Sequence, residues 1–120
     1  MGELRIEAKQ VGEGIAHVKA MGTLDAETYE KMDKTIKSLF TRGFYKLIVN
    51  LEQVSYISSA GAGVFIGVVG TAQENNGHIL LLRPSTMVHD VFDVLGLLEI
   101  FPSAQSLDEA TNFFRNNLTH

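Results

Sequence analysis

The sequence predicts one α/β domain with a mixed, mostly parallel β-sheet and about four helices, in the order ββαβαβαβα. Two strand-like segments open the chain, and apolar runs of strand length then alternate with segments whose apolar residues recur at helical spacing. Helices between the later strands imply right-handed crossovers and parallel pairing. No linker or repeat divides the 120 residues, so we expect a single domain over 1–120 with an ordered core of about 3–118.

Composition excludes several classes of function. The formal net charge of −4, without a basic stripe, argues against a nucleic-acid binder. Because cysteine is missing, the chain has no disulfide framework, thiolate nucleophile or zinc–thiolate site. Charged residues interrupt the N-terminus where a signal peptide would be apolar, and no uncharged apolar run approaches the roughly 20 residues that span a bilayer. We therefore expect a soluble cytoplasmic domain.

The first two strands are expected to form a hairpin. Residues 4–8 alternate apolar and charged side chains, which indicates a half-exposed strand. The glycines of residues 12–14 can supply a turn into a second strand at 15–21, which residues 22–25 should break. The pair would lie antiparallel at one edge of the sheet.

The first helix is predicted over about residues 26–41, where apolar residues recur at helical spacing. Asp25 is a plausible N-cap for it, and Gly43 is well placed to end it. The apolar run over residues 45–51 then predicts a buried strand.

A polar connection leads from that strand to two serines at the mouth of a second helix. Ser58 and Ser59 precede apolar residues at helical spacing, and residues 75–77, Asn-Asn-Gly, should end the helix. We expect Gly67 and Gly70 to permit close packing of this helix on the sheet, at about 1 kcal/mol each relative to alanine.

Two further strands and two further helices complete the predicted domain. Residues 78–82 and 98–101 predict the strands, and Pro102 should end the second of them. A third helix begins at Pro84 and Ser85, and a capping box at residues 106–109 begins the last helix, which runs to about residue 117. The apolar face expected for the third helix comprises Val88, Val91, Phe92 and Leu95.

The sequence contains little that indicates a metal, nucleotide or hydrolase site. The glycine-rich residues 59–63 lack both a G-x-G-x-x-G pattern and a following lysine. The serines do not stand in a G-x-S-x-G elbow, since Tyr56 and Ile57 precede them. We expect no metal, cofactor or catalytic residue. The histidines fall in different predicted elements without ligand spacing: His17, His78, His89 and His120.

The two serines are then either structural caps or a modifiable switch. Serine is a preferred N-cap, worth about 1 kcal/mol over alanine, so at least one of Ser58 and Ser59 should cap the helix. A phosphate there would meet the positive end of the helix dipole, which the fold can tolerate. The same phosphate adds roughly −1.5 to −2 charges, enough to repel a docked partner.

Three stretches resemble STAS domains, specifically bacterial anti-sigma-factor antagonists. Residues 47–65, LIVNLEQVSYISSAGAGVF, are similar to the signature in which an apolar strand precedes Asp-Ser-Ser-Gly-Leu-Gly-Val and a helix. Residues 22–25, GTLD, resemble the family's turn before its first helix, and residues 91–97, VFDVLGL, resemble its late Gly-Leu segment. The element order agrees with the family's domain over nearly the whole chain.

The resemblance implies a phosphorylation-controlled binding module. Family members bind an anti-sigma factor, often itself a serine kinase of the histidine-kinase-like ATPase type, and thereby free the sigma factor. Phosphorylation of a serine at the start of the second helix weakens binding, and a PP2C-like serine phosphatase restores it. Nucleic acid and membrane insertion have no part in this scheme.

Aligning the motif implies that Ser59 is the phosphoacceptor. Ser58 stands where the family has an acidic residue, which makes it a rival acceptor or a neutral stand-in. Ala62 stands where the family often has leucine, which would make the adjacent surface smaller. The partner-binding residues that the resemblance implies are Leu24, Asp25, Ser58, Ala60, Gly61 and Ala62.

Two roles for Asp25 and three functions remain open at this point. Asp25 either shapes a kinase-facing surface beside the serine or is simply an N-cap. The chain is a phospho-switched antagonist, a non-switching STAS scaffold of a stress-signalling or transporter-associated complex, or a small serine-dependent enzyme. The missing acid before Ser59 favours the scaffold, and the serine pair in a STAS-like frame favours the switch.

Overall fold

A computed structural model describes residues 2–117, so the predicted core limit at residue 118 and His120 lie outside the described part of the chain. The strands are β1 (Leu4–Gly12), β2 (Ile15–Leu24), β3 (Lys46–Ile57), β4 (His78–Leu82) and β5 (Ser103–Ala104). The helices are α1 (Tyr29–Thr41), α2 (Ser59–Glu74), α3 (Thr86–Val94) and α4 (Leu107–Asn117), with a short 3₁₀ helix at Leu97–Glu99. The predicted order ββαβαβαβα is confirmed.

The strands form one mixed sheet in the order β1-β2-β3-β4-β5. β1 and β2 pair antiparallel through a turn in which Gly14 has a φ of 70°, whereas the other neighbours pair parallel. The predicted hairpin at the sheet edge is therefore confirmed. No helix within residues 2–117 is long and apolar enough to cross a membrane.

Two apolar cores lie on opposite faces of the sheet. The larger one holds α1, α2 and α3 against one face, and the smaller one holds α4 against the other. Within β3, Leu47 and Val49 face the first core and Ile48 faces the second, so the strand is buried on both sides as the apolar run predicted. Burying a side chain of this size stabilises the fold by roughly 1.5–3 kcal/mol.

β2 and β3 both run further than the sequence predicted. β3 continues to Ile57, so the expected polar connection after residue 51 is wrong, and β2 continues to Leu24 without the expected break at residue 22. Two register shifts in the pairing, one of them at Gly22, let the strands stay together to their ends. Beyond residue 51, Val54 and Ile57 are buried and the residues between them are exposed. This spacing of three departs from the alternation of a regular strand, because each register shift places an extra residue in β3.

The expected final strand at residues 98–101 is also wrong. Gly96, with a φ of 74°, ends α3, and the chain then makes a 3₁₀ turn in which Ile100 and Phe101 donate backbone hydrogen bonds to the Leu97 carbonyl. Leu97 and Phe101 are buried at a spacing of four residues, which a turn can provide. The strand instead follows Pro102, whose carbonyl accepts from Leu81 N at 2.8 Å.

Gly67 and Gly70 do not pack against the sheet, contrary to the sequence prediction. Both lie exposed on α2, and a Cβ added at either position would meet no atom outside the helix within 4 Å. Each glycine therefore lowers the stability of the helix relative to alanine, and no close packing compensates for this loss.

We expect Gly67→Ala to raise the free energy of unfolding by about 1 kcal/mol, measured by urea denaturation. Gly96→Ala is the contrasting variant, because its site is equally open but its φ of 74° disfavours any side chain. We expect Gly96→Ala to lower the free energy of unfolding by roughly 1 kcal/mol. A destabilised Gly67→Ala protein would contradict this account of the α2 surface.

Candidate functional site

The carboxyl ends of β2 and β3 meet at the start of α2. Leu24 and Ile57, the last residues of the two strands, are paired, and Ser58 N donates to the Leu24 carbonyl at 3.0 Å. The carboxyl edge of parallel strands is where α/β sheets place their binding sites. The two serines therefore lie at the edge of the sheet that is best placed for recognition.

Ser58 is the N-cap of α2. Its backbone is extended, with φ −102° and ψ 173°, and its Oγ accepts from Gly61 N at 3.2 Å. Its carbonyl accepts from Ala62 N at 2.9 Å. The prediction that one of the two serines caps the helix is confirmed, and the capping serine is the half-buried one.

Ser59 is the first helical residue and is exposed. Within residues 2–117, its hydroxyl makes no hydrogen bond, and the backbone N–H groups of Ser59 and Ala60 have no protein acceptor. The first turn of α2 also carries no acidic side chain. This end of the helix therefore presents a free hydroxyl, two free donors and the positive end of a helix dipole.

Three of the residues assigned to partner contact lie beneath this surface. Leu24 and Ala62 are fully buried, and Gly61 is buried against β2. The side chains of Leu24 and Ala62 are not accessible in this structure, so Ala62 does not itself form part of the surface. Their contact with a partner stays a prediction. They support the helix mouth from inside, which leaves Asp25, Ser58, Ser59 and Ala60 as its accessible part.

Asp25 holds the turn before α1 and is not the N-cap of that helix. Its Oδ1 accepts from Glu27 N at 2.9 Å and from Thr28 N at 3.2 Å, and α1 begins only at Tyr29. Thr28 stands at the N-cap position, but its hydroxyl lies 2.8 Å from the Thr23 carbonyl and caps nothing in the helix. The Asp25 carboxylate thus fixes the loop that directly follows Leu24, next to the helix mouth.

A hollow of about 310 Å³ opens beside Ser59, and sequence reasoning did not find it. Met87, Val91, Val94 and Leu95 of the α3 segment line it together with Asp90. Val91 and Leu95 had been assigned to the buried face of this helix, but Val91 is only half-buried and Leu95 is 43% exposed. The apolar residues at 87, 91, 94 and 95 adjoin Val88 and Phe92 on one helical arc, so the sequence does not separate the exposed residues from the buried ones.

The described histidines lie too far from the two serines to form hydrogen bonds with them. Within residues 2–117, neither serine hydroxyl has a histidine within hydrogen-bond distance, and no three His, Asp or Glu side chains are grouped as metal ligands. His17 lies on the sheet, where burial and then the charges of Lys9, Lys19 and Arg83 lower its pKa. Burial likewise lowers the pKa of His78, whose Nδ1 accepts from Ile79 N. No histidine within residues 2–117 is therefore placed to act as a general base for Ser59.

The capping geometry predicts unequal effects on stability when the two serines are replaced by alanine. Ser58→Ala is expected to lower the free energy of unfolding by about 1 kcal/mol, because Gly61 N loses its acceptor. Ser59→Ala is the matched control and should change it by less than about 0.5 kcal/mol, since the Ser59 hydroxyl is exposed. Thermal and urea unfolding of the two variants check this, and equal losses would contradict the assignment of the cap.

Comparisons with known proteins agree with this arrangement. The family model described as the STAS domain matches residues 6–110. The anti-sigma-B factor antagonist of Staphylococcus epidermidis is 30% identical over 83 residues, which are 69% of this chain and 77% of that protein. The unphosphorylated anti-sigma factor antagonist SpoIIAA has a TM-score of 0.80 at 25% identity, over 96% of this chain and 100% of SpoIIAA. The phosphorylated form of SpoIIAA from Bacillus has a TM-score of 0.71 at 25% identity, over 90% of this chain and 97% of that protein.

Proposed function

The chain belongs to the STAS-domain family, and we propose that within it the protein is an anti-sigma-factor antagonist switched by phosphorylation of Ser59. It binds an anti-sigma factor through the helix mouth and so releases a sigma factor for transcription. The observation that carries this proposal is the exposed Ser59 at the first position of α2, without a hydrogen-bond partner in residues 2–117.

The relatives support this function. The Staphylococcus epidermidis protein is called an anti-sigma-B factor antagonist, and SpoIIAA has been solved in unphosphorylated and phosphorylated forms. A phosphate on Ser59 would find two free backbone donors and the positive end of the α2 dipole. It would also add roughly −1.5 to −2 charges to the surface that the partner meets. The modification is therefore compatible with the fold and opposed to binding.

The geometry favours Ser59 over Ser58 as the acceptor. The Ser58 hydroxyl is half-buried and holds Gly61 N, so a kinase would have to undo the cap to reach it. Ser58 also performs the capping that an aspartate would perform at this position, because both side chains are good N-caps. Its presence in place of the family's acid therefore leaves the start of α2 intact.

We propose partners of three kinds for this cytoplasmic, non-enzymatic regulator. The first is the anti-sigma factor itself, as a serine kinase of the histidine-kinase-like ATPase type. The second is a PP2C-like serine phosphatase that regenerates the binding form. The third is the sigma factor, which the chain does not bind but which is released when the chain binds the anti-sigma factor. Nucleic acid and membrane insertion are not part of the function.

Incubation of the chain with ATP and each kinase-type anti-sigma factor of the same genome tests the proposal. Mass spectrometry should find phosphate on Ser59, and the phosphorylated chain should no longer displace the sigma factor. Phosphate on Ser58 alone would contradict the choice of acceptor. Unmodified serines together with no displacement of any sigma factor would contradict the function.

A non-switching STAS scaffold is the second candidate, and the serine in place of the family's acid at position 58 favours it. This candidate predicts a large assembly in light scattering that is unaffected by Ser59→Asp. The switch predicts that Ser59→Asp abolishes sigma-factor release. Sigma-factor release that is lost in Ser59→Asp therefore supports the switch, and an assembly with no response to Ser59→Asp supports the scaffold.

A further inference from the structure

The apolar residues of α3 form one wide arc, of which the core covers only part. Val88 and Phe92 are fully buried in the larger core. On the less buried side of the arc, the second face, Met87 and Val91 pack partly against that core, whereas Leu95 is 43% and Val94 84% exposed. The exposed end of an apolar stripe is available for a partner.

This second face forms one wall of the hollow that has Ser59 at its edge. We refer to the hollow, lined by Ser59, Met87, Asp90, Val91, Val94 and Leu95, as the α3 groove. Asp90 supplies its charged group, is largely exposed and has its Oδ1 3.8 Å from His89 Nδ1. The α3 groove thus joins an apolar floor to a carboxylate and to the proposed phosphorylation site.

Among the described residues that line the α3 groove, Asp90 is the charged one. Between residues 47 and 114, which include α2 and α3, Arg83 is the sole Lys or Arg against seven Asp and Glu residues. Arg83 is itself 3.6 Å from the Glu52 carboxylate. A partner that docks here is therefore best matched by apolar side chains flanked by Lys or Arg.

We propose that the anti-sigma factor docks an amphipathic helix into the α3 groove, with apolar side chains on Val94 and Leu95 and a Lys or Arg beside Asp90. This inference rests on the proposed function and adds to it the chemistry of the partner's contact. An amphipathic helix suits a groove of this kind because its apolar residues at i, i+3, i+4 and i+7 fill a lengthwise hollow.

A second copy of this chain is a poorer occupant. A symmetric contact would set α3 against α3, since a two-fold interface uses the same patch on both subunits. Asp90, which lines the groove, would then approach Asp90 of the other copy, and like charges across an interface are costly. A basic partner removes this repulsion.

The α3 groove also supplies a reason for Ser59 to be the switch. A phosphate on Ser59 would enter the edge of an apolar contact and stand near the Asp90 carboxylate. Desolvation of the phosphate and repulsion from Asp90 both oppose docking. A phosphate on this one side chain can therefore prevent docking in the α3 groove, although most of the groove is formed by α3 and Ser59 lies on α2.

Titration calorimetry with each kinase-type anti-sigma factor of the same genome tests the α3 groove. We expect Val94→Asp to weaken binding by about tenfold or more and Asp90→Lys to weaken it further at low salt than at high salt. Val94→Leu keeps the apolar floor and should bind within about threefold of the wild type. Ile66→Asp is the matched control: Ile66 is 50% exposed on α2 but does not line the groove, and its variant should also bind within about threefold.

Each other outcome overturns the inference in a distinguishable way. Wild-type affinity in Val94→Asp, with a retained circular dichroism spectrum, removes the α3 groove from the interface and leaves the proposed function standing. A wild-type dimer that Val94→Asp converts to a monomer, without a change in affinity for the anti-sigma factor, assigns the groove to a second copy. If the wild type binds none of the anti-sigma factors, the proposed function fails and this inference fails with it.

Discussion

Ser59→Glu is expected to weaken binding of the anti-sigma factor by about tenfold or more, which is about 1.4 kcal/mol or more of binding free energy. The carboxylate would stand beside Asp90 at the edge of an apolar hollow, where docking removes water from it. Like-charge repulsion and desolvation then act in the same direction. Glutamate carries less charge than a phosphate, so the effect of phosphorylation should be larger.

The loss should occur without damage to the fold. Ser59 begins α2, and the first turn of that helix carries no acidic side chain. An acid at this position interacts favourably with the helix dipole, by about 0.3–1 kcal/mol at low ionic strength. The melting temperature of Ser59→Glu should therefore equal or exceed that of the wild type.

Ser59→Gln is the matched control for the charge, because it has the same length as glutamate. Calorimetric titration of both variants against the anti-sigma factor should give nearly wild-type affinity for glutamine and the predicted loss for glutamate. Equal affinities of the two variants would show that size, and not charge, matters at Ser59. That result would remove the physical basis of the phosphorylation switch.

The elements that the sequence predicted well depend on local signals. Gly43, for example, ends α1 as expected: with φ 90° it donates to Phe40, and Phe44 donates to Leu39, the bonds of a glycine C-cap. The extension of β3 to Ile57 was missed because the strand changes from continuous burial to burial at every third residue, a spacing that is not typical of a strand. That change depends on how far α4 covers the sheet, which is a tertiary property.

The same division holds at the candidate site. Ser58 as a cap could be predicted, because an N-cap is defined by a serine, the residues after it and a local hydrogen bond. The α3 groove could not, because Val91 and Leu95 look alike in the sequence whether they face the sheet or the mouth of α2. In the fold Val88 and Phe92 are fully buried and Met87 and Val91 pack partly against the same core, whereas Val94 and Leu95 stay exposed.

Gly61→Ala is expected to lower the free energy of unfolding by about 2 kcal/mol or more. The added methyl group would collide with the Leu24 carbonyl oxygen and would lie 2.7 Å from its carbon and 2.9 Å from Leu24 Cγ. The carbonyl cannot turn away freely, because it accepts from Ser58 N at 3.0 Å. Relief of the collision therefore requires α2 to move off the end of β2.

Gly63→Ala is the control that isolates this collision. Gly63 lies in the same helix, two residues further on, and a Cβ there would meet nothing outside the helix within 4 Å. Alanine should raise stability at that site by up to about 1 kcal/mol through its helix propensity. Urea unfolding of the two variants should therefore give changes of opposite sign, and a stabilised Gly61→Ala protein would contradict the close approach of α2 to Leu24.

Displacement of α2 in Gly61→Ala should also change the binding surface, because the contact that Gly61 permits seats Ser58 and Ser59 at the sheet edge. We expect this variant to bind the anti-sigma factor more weakly than Gly63→Ala, even at temperatures where both are folded. The two proteins have the same composition and net charge, so a difference in affinity would report the position of the helix mouth. We therefore expect Gly61 to affect binding through the position that it gives Ser58 and Ser59.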